Sequence, residues 1–201
     1  MANLVAPRGF VPSRYLNGAA WNGQVNMYCV PSTDGNIISP GDAVKSAAGM
    51  DANGIPYLTK SAGTDVCRGA VVGVLAANPN APSLVGTNLD LTIQNMPATK
   101  LKDYYILVAD DPQLLFEIQD DGLSLLTTAA ANKNATFTVA NPVAPQQNSA
   151  STLLNSSVAT TSTLTLKIMG LVQRADNTLA VNAKWLVMFN LHELRGNVAG
   201  V

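Results

Sequence analysis

Charge is what this sequence has least of. Only 12% of its 201 residues are Asp, Glu, Lys or Arg, against roughly a quarter in an average soluble protein, and the net charge is −1. No run of basic residues occurs, which argues against a large nucleic-acid surface, because phosphate binding needs clustered Lys and Arg. No apolar stretch approaches the roughly 20 residues needed to span a bilayer, so a membrane is not an expected partner either. The first residues, Met1 to Arg8, lack a basic segment followed by an apolar core, so cytoplasmic synthesis is the expectation. The sequons at Asn134 and Asn155 then carry no meaning.

Histidine and cysteine are nearly absent. With His192 alone, any Ser-His-Asp or Cys-His relay has to run through it, and no Gly-x-Ser-x-Gly elbow accompanies it. His192-Glu193 lacks a second histidine four residues on, so it is not a zinc-protease helix. Cys29 and Cys67 lie in separate strand-like segments and read as small buried hydrophobes; a metal site needs more ligands close by. No Gly-x-Gly-x-x-Gly or lysine-bearing phosphate loop appears. No metal, cofactor or catalytic set is expected.

What the chain does have is an ordinary share of apolar residues. Apolar residues make up 47% and mean hydropathy is +0.16. A domain living free normally carries more surface charge for solubility. Low charge with positive hydropathy fits either a surface that meets other protein, which we take as the leading reading, or a poorly soluble monomer.

Residues 1–23 contain Pro7, Gly9, Pro12, Gly18 and Gly23, a density that excludes a helix or a long strand. Arg8, Phe10, Arg14, Tyr15 and Trp21 stand between them, too many aromatics for a solvated tail. We read an extended N-terminal arm that anchors either on its own domain or on a neighbouring subunit. These five residues are the candidate partner contacts. Arg's rigid fork suits interface ion pairs, although two solvated arginines fit the pattern as well.

From Gln24 to Arg195 short strand signals alternate with turns about every ten residues, the spacing of a sandwich or barrel. Strands are expected near 25–30, 43–45, 55–59, 70–75, 89–94, 136–139, 163–169 and 184–191. Leu123 to Asn134 fits a short helix or a loop, and Asn141 to Ser157 a long surface loop. Residues 196–201 form a small-residue tail. The expected fold is all-β: an antiparallel β-sandwich or jelly-roll-like domain with at most one short helix.

Asp103 to Gly122 is the richest stretch. Two strand-length runs flank Asp110-Asp111-Pro112, and Asp120-Asp121-Gly122 closes the unit. Leu114, Phe116 and Ile118 fall on one face of the second run, with Leu115, Glu117 and Gln119 on the other. Acid–base chemistry needs two carboxylates converging in one pocket. Adjacent strand residues point to opposite faces, and Asp beside Pro or Gly is turn chemistry. We therefore expect a β-hairpin whose carboxylates shape corners.

The arm from Met1 to Ala20, Gly41-Asp42-x-Val44, Asp51-x-x-Gly54, Gly69-x-Val71-Val72-Gly73, the Tyr104 to Gln119 unit, and Leu171-Val172 to Asn177 together resemble the capsid decoration, or cement, proteins of tailed bacteriophages. The resemblance covers nearly the whole chain as turn and strand signatures, without a catalytic motif. It implies a jelly-roll-like virion protein on the outside of an icosahedral head. Such a protein forms dimers or trimers, binds the major capsid protein, and is assembled in the host cytoplasm. The alternatives are a tail or head-fibre component binding a host glycan, and a hydrolase using Asp110, Asp111 or Glu117.

Overall fold

Alternating and continuous apolar runs give this chain short strands as its main regular structure. The computed structural model describes residues 3–75, 94–143 and 147–195. The strands are β1 (Val11–Tyr15), β2 (Asn26–Val30), β3 (Ala43–Met50), β4 (Pro56–Lys60), β5 (Gly69–Leu75), β6 (Tyr104–Ala109), β7 (Leu114–Gln119), β8 (Asn134–Ala135), β9 (Phe137–Thr138), β10 (Thr152–Leu153), β11 (Leu166–Leu171) and β12 (Lys184–Phe189). Helical structure among the described residues is confined to three-residue 3-10 turns. The fold is all-β, as the turn spacing indicates. The segment from Leu123 to Asn134 holds one such turn, Thr128–Ala130. Residues 89–93 of the expected strand at 89–94, the tail at 196–201 and residues 144–146 of the long loop lie outside the described residues.

Two layers organise the strands. β2, β4, β3, β5 and β6 close into a barrel, and β1, β7, β12, β11 and β8 form an antiparallel sheet in that order. Tyr28, Val30, Val44, Leu58, Val71, Ile106 and Val108 fill the barrel. A second core lies where the barrel wall meets the sheet. There Phe116, Ile118, Trp185, Val187 and Phe189 from the sheet pack with Ala70 and Ala109 from the barrel and with Cys67 just before β5. Burying each large apolar side chain contributes about 1.5–3 kcal/mol.

Both β6 and β7 are strands, but they do not pair with each other, which corrects the expected hairpin. β6 pairs with β2 and β5 inside the barrel, whereas β7 pairs with β1 and β12 in the sheet. Both edges of each strand are occupied, so Asp110-Asp111-Pro112 is the corner by which the chain passes from one layer to the other. The face assignment of β7 holds: Leu114, Phe116 and Ile118 enter the inter-layer core. The other face is covered as well. Leu115 joins Val172, Leu186 and Met188 in a small outer cluster, and Gln119 lies beneath the arm.

Residues 1–23 are part of this fold where they are described. β1 is an edge strand of the sheet, and Phe10 is only 1% exposed, ringed by Phe116, Phe137 and Phe189. The Phe10 amide donates to the Gly41 carbonyl (2.8 Å). Gly9 (φ +64°) and Gly41 (φ +92°) permit this approach, because a Cβ on either would collide with the other segment's backbone.

Candidate interaction surface

The five arm residues separate by role. Phe10 is a core residue and is removed from the partner contacts, because its ring is buried by the domain itself. Tyr15 and Trp21 are half-buried and pack on the inter-layer core. Each bonds Gln24: the Tyr15 hydroxyl donates to its side-chain oxygen (3.2 Å), and Trp21 Nε1 to its carbonyl (3.2 Å). Arg8 and Arg14 are exposed.

Asn3 fastens the start of the arm to the turn before β12. Its Nδ2 donates to the carbonyls of Thr178 (2.9 Å) and Val181 (3.1 Å). Gln119 holds the next residues, accepting from the Ala6 amide (2.9 Å) and donating to the Leu4 carbonyl (2.8 Å). These bonds hold the segment bearing Leu4 and Val5, 78% and 67% exposed, against the turn bearing Leu179 and Val181, 40% and 43% exposed. The result is a set of exposed apolar residues, an apolar patch spread over two hydrogen-bonded segments. Sequence reasoning missed all four residues: Leu4 and Val5 lie in the segment read as an arm, and Leu179 and Val181 in one to which no element was assigned.

A groove of about 520 Å³ runs beside this patch, lined by Leu4, Arg8, Val11, Glu117, Arg174 and Lys184 among others. Arg174 Nη1 meets Glu117 Oε2 at 2.9 Å, and Asp176 pairs with both Arg174 and Lys184. Arg8 makes no ion pair among the described residues, so it remains available to an acidic group.

A second groove, about 490 Å³, is lined by Tyr15, Gln24, Asn26, Asp110, Asp111 and Leu194 among others. Asp110 is buried at its base and already bonded: it accepts from Asn26 Nδ2 (2.9 Å) and from the Tyr28 hydroxyl, and Arg68 Nε stands 3.6 Å away. Asp111 accepts from the Gln113 amide, as a turn residue does. Glu117 faces the other groove, so Asp111 and Glu117 do not converge. Asp120 and Asp121 cap corners. Asp120 accepts from the amides of Gly122, Asn182 and Ala183 and from Trp185 Nε1, while Asp121 accepts from those of Leu123 and Asn155.

His192 is 2% exposed. Its Nδ1 accepts from the Leu194 amide (3.1 Å), and its Nε2 has no partner. Burial foremost, with help from Arg195, pushes the imidazole down to about 4. Cys67 bonds Ser61 Oγ (3.2 Å), and burial pushes its thiol up to about 12. A neutral thiol bonded to serine is not an activated nucleophile. Cys29 is likewise buried and free. Among the described residues no three His, Cys, Asp or Glu side chains are grouped to hold a metal ion.

Compared with family models, with curated proteins and with solved structures, the chain matches none.

Proposed function

We propose that this chain is a structural, non-enzymatic component of a tailed-phage virion: a decoration protein on the outer surface of the icosahedral head that clamps neighbouring major capsid proteins together. The exposed apolar residues Leu4, Val5, Leu179 and Val181, with Arg8, which has no ion pair among the described residues, carry the reading. On a chain so poor in charge, a fixed apolar patch of this kind suits permanent contact with protein. A clamp that buries surface only on the assembled shell stabilises that shell by mass action. Many copies in fixed geometry add avidity, so each contact can be weak. Self-association as a dimer or trimer belongs to the same reading; nucleic acid and membrane do not.

The test is co-sedimentation with purified undecorated heads. Bound copies in a fixed ratio to the major capsid protein, and greater resistance of the heads to heat, are expected. Leu4→Ser with Val5→Ser lowers occupancy while the free protein keeps its unfolding midpoint. Heads that pellet without the protein overturn the proposal.

The second groove favours one further reading, a virion component that binds a host glycan. Tyr15 beside Gln24, Asn26 and Asp111 combines an aromatic face with planar polar groups, a set suited to sugar hydroxyls. Glycan-array binding that is lost in Tyr15→Ala supports it, and an array without signal rejects it.

A further inference from the structure

Lys60, Asp42 and Asn141 meet at one point where the end of β4 touches the loop leading from β9 to β10. Lys60 Nζ lies 2.9 Å from Asp42 Oδ2 and 3.0 Å from Asn141 Oδ1. The side chains of Lys60 and Asp42 are 7% and 0% exposed. Asp42 is held in place by the Ser149 hydroxyl (2.6 Å) and the Ser39 amide (2.9 Å), so its carboxylate stays aimed at the amine. The Lys60 amine also donates to the Ile37 carbonyl (3.0 Å), which fixes it against the amide. This is an amine, a carboxamide and a buried carboxylate within hydrogen-bond reach of one another, three segments apart in the chain.

We propose that Lys60 and Asn141 form an intramolecular isopeptide bond, with Asp42 as the proton carrier. The Lys60 ammonium gives a proton to Asp42, and the freed amine attacks Cγ of Asn141. A proton returns through Asp42 to the amide nitrogen, the Cγ–Nδ2 bond breaks, and ammonia leaves. Overall, a lysine ammonium and a carboxamide become a secondary amide and an ammonium ion; no oxidant or cofactor takes part.

Four features favour the reaction. Holding reactants in place replaces a bimolecular step with an intramolecular one. Burial pushes the Asp42 carboxyl up from its ordinary value, against the opposing pull of Lys60, which suits a group that must hold a proton in passing. The residue after Asn141 is Pro142, which has no backbone N–H. The usual internal nucleophile of asparagine, the next amide nitrogen, is therefore missing, and the Lys60 amine takes that place. Asn141 lies at the surface, so ammonia has a free exit. The product ties the barrel to the loop at 141–151 across a sequence separation of 81 residues, a constraint on the unfolded chain of the kind a disulfide supplies. The proposal is independent of the virion reading.

The experiment is intact-mass spectrometry of the purified full chain, fresh and after prolonged incubation at neutral pH, followed by proteolysis and peptide mapping. The expected result is a species lighter by one ammonia and a branched peptide joining Lys60 to Asn141. Asn141→Ala, a surface substitution that leaves the fold intact, restores the full mass expected of its sequence, as does Lys60→Arg. Asp42→Asn slows formation by about 10²-fold or more where it folds. Folded protein that keeps its full mass throughout, or a bond mapped to other residues, overturns the proposal.

Discussion

The Tyr28 hydroxyl, on the strand that opens the barrel, donates to the carboxylate of Asp110, the residue at which the chain leaves it. Arg68 completes the seam, donating to the same hydroxyl from Nη2 (2.8 Å) and Nε (3.1 Å). It also stands 3.7 Å from Glu193, whose carboxylate accepts from the amide and hydroxyl of Ser46. One tyrosine oxygen thus links the barrel interior, the inter-layer corner and the closing turn Glu193–Arg195.

Tyr28→Phe removes that oxygen and little else. Asp110 keeps Asn26 as a donor but loses its hydroxyl partner, and Arg68 loses its acceptor. A buried charge left short of partners costs about 1–3 kcal/mol. The urea midpoint should fall accordingly with an unchanged slope. An unaltered midpoint shows that the seam contributes nothing to stability.

Phe10 separates folding from binding in the arm. Phe10→Ala opens a cavity among Phe116, Phe137 and Phe189 and should cost about 3–5 kcal/mol. Arg8→Ala and Arg14→Ala, at exposed positions without ion pairs among the described residues, should stay within about 0.5 kcal/mol. Deleting residues 1–23 therefore removes a strand and a core ring and does not leave an intact domain. Thermal denaturation of the three variants decides the matter, and equal midpoints sink this assignment.

The alternation of Leu114 to Gln119 and the Asp-Pro and Asp-Gly corners were legible because strand period and turn chemistry are local. What β7 pairs with was not, because partner choice depends on which strand edges remain free once the barrel closes. Phe10 was legible as an anchored aromatic but not as a core residue: nothing in Arg8-Gly9-Phe10 specifies that Gly41 lies against it. Neither the apolar patch nor the Lys60, Asp42 and Asn141 cluster has a spacing to read, since each joins segments far apart in sequence.

Asp120 and Asp111 look alike in the sequence and differ in what they hold. Asp120 is 1% exposed and accepts from four donors, two of them buried: the Ala183 amide and Trp185 Nε1 at 3.2 Å. Asp120→Ala strands those donors and should cost roughly 3 kcal/mol or more. Asp111→Ala gives up one exposed turn bond and should cost no more than about 1 kcal/mol. Equal losses in parallel urea titrations contradict the corner-cap role of Asp120.

His192 gives the fold a pH dependence whose sign is set by its surroundings. Burial and the Arg195 and Arg68 guanidiniums hold the imidazole near 4, against the weaker upward pull of Asp110 and Asp111. In the unfolded chain it titrates near its ordinary value, about 6.5. Between those values the unfolded chain binds a proton that the folded chain does not, so stability falls as pH falls. The contribution is complete above about pH 6.5, is lost progressively toward pH 4, and amounts to roughly 3 kcal/mol. His192→Asn keeps an acceptor for the Leu194 amide and removes the titration. The wild-type protein should therefore lose more stability than the variant between pH 7 and pH 4.5. An NMR titration of the single histidine checks the cause directly. A midpoint near 6.5 in the folded protein would show that the imidazole is solvated, and this assignment would then fail.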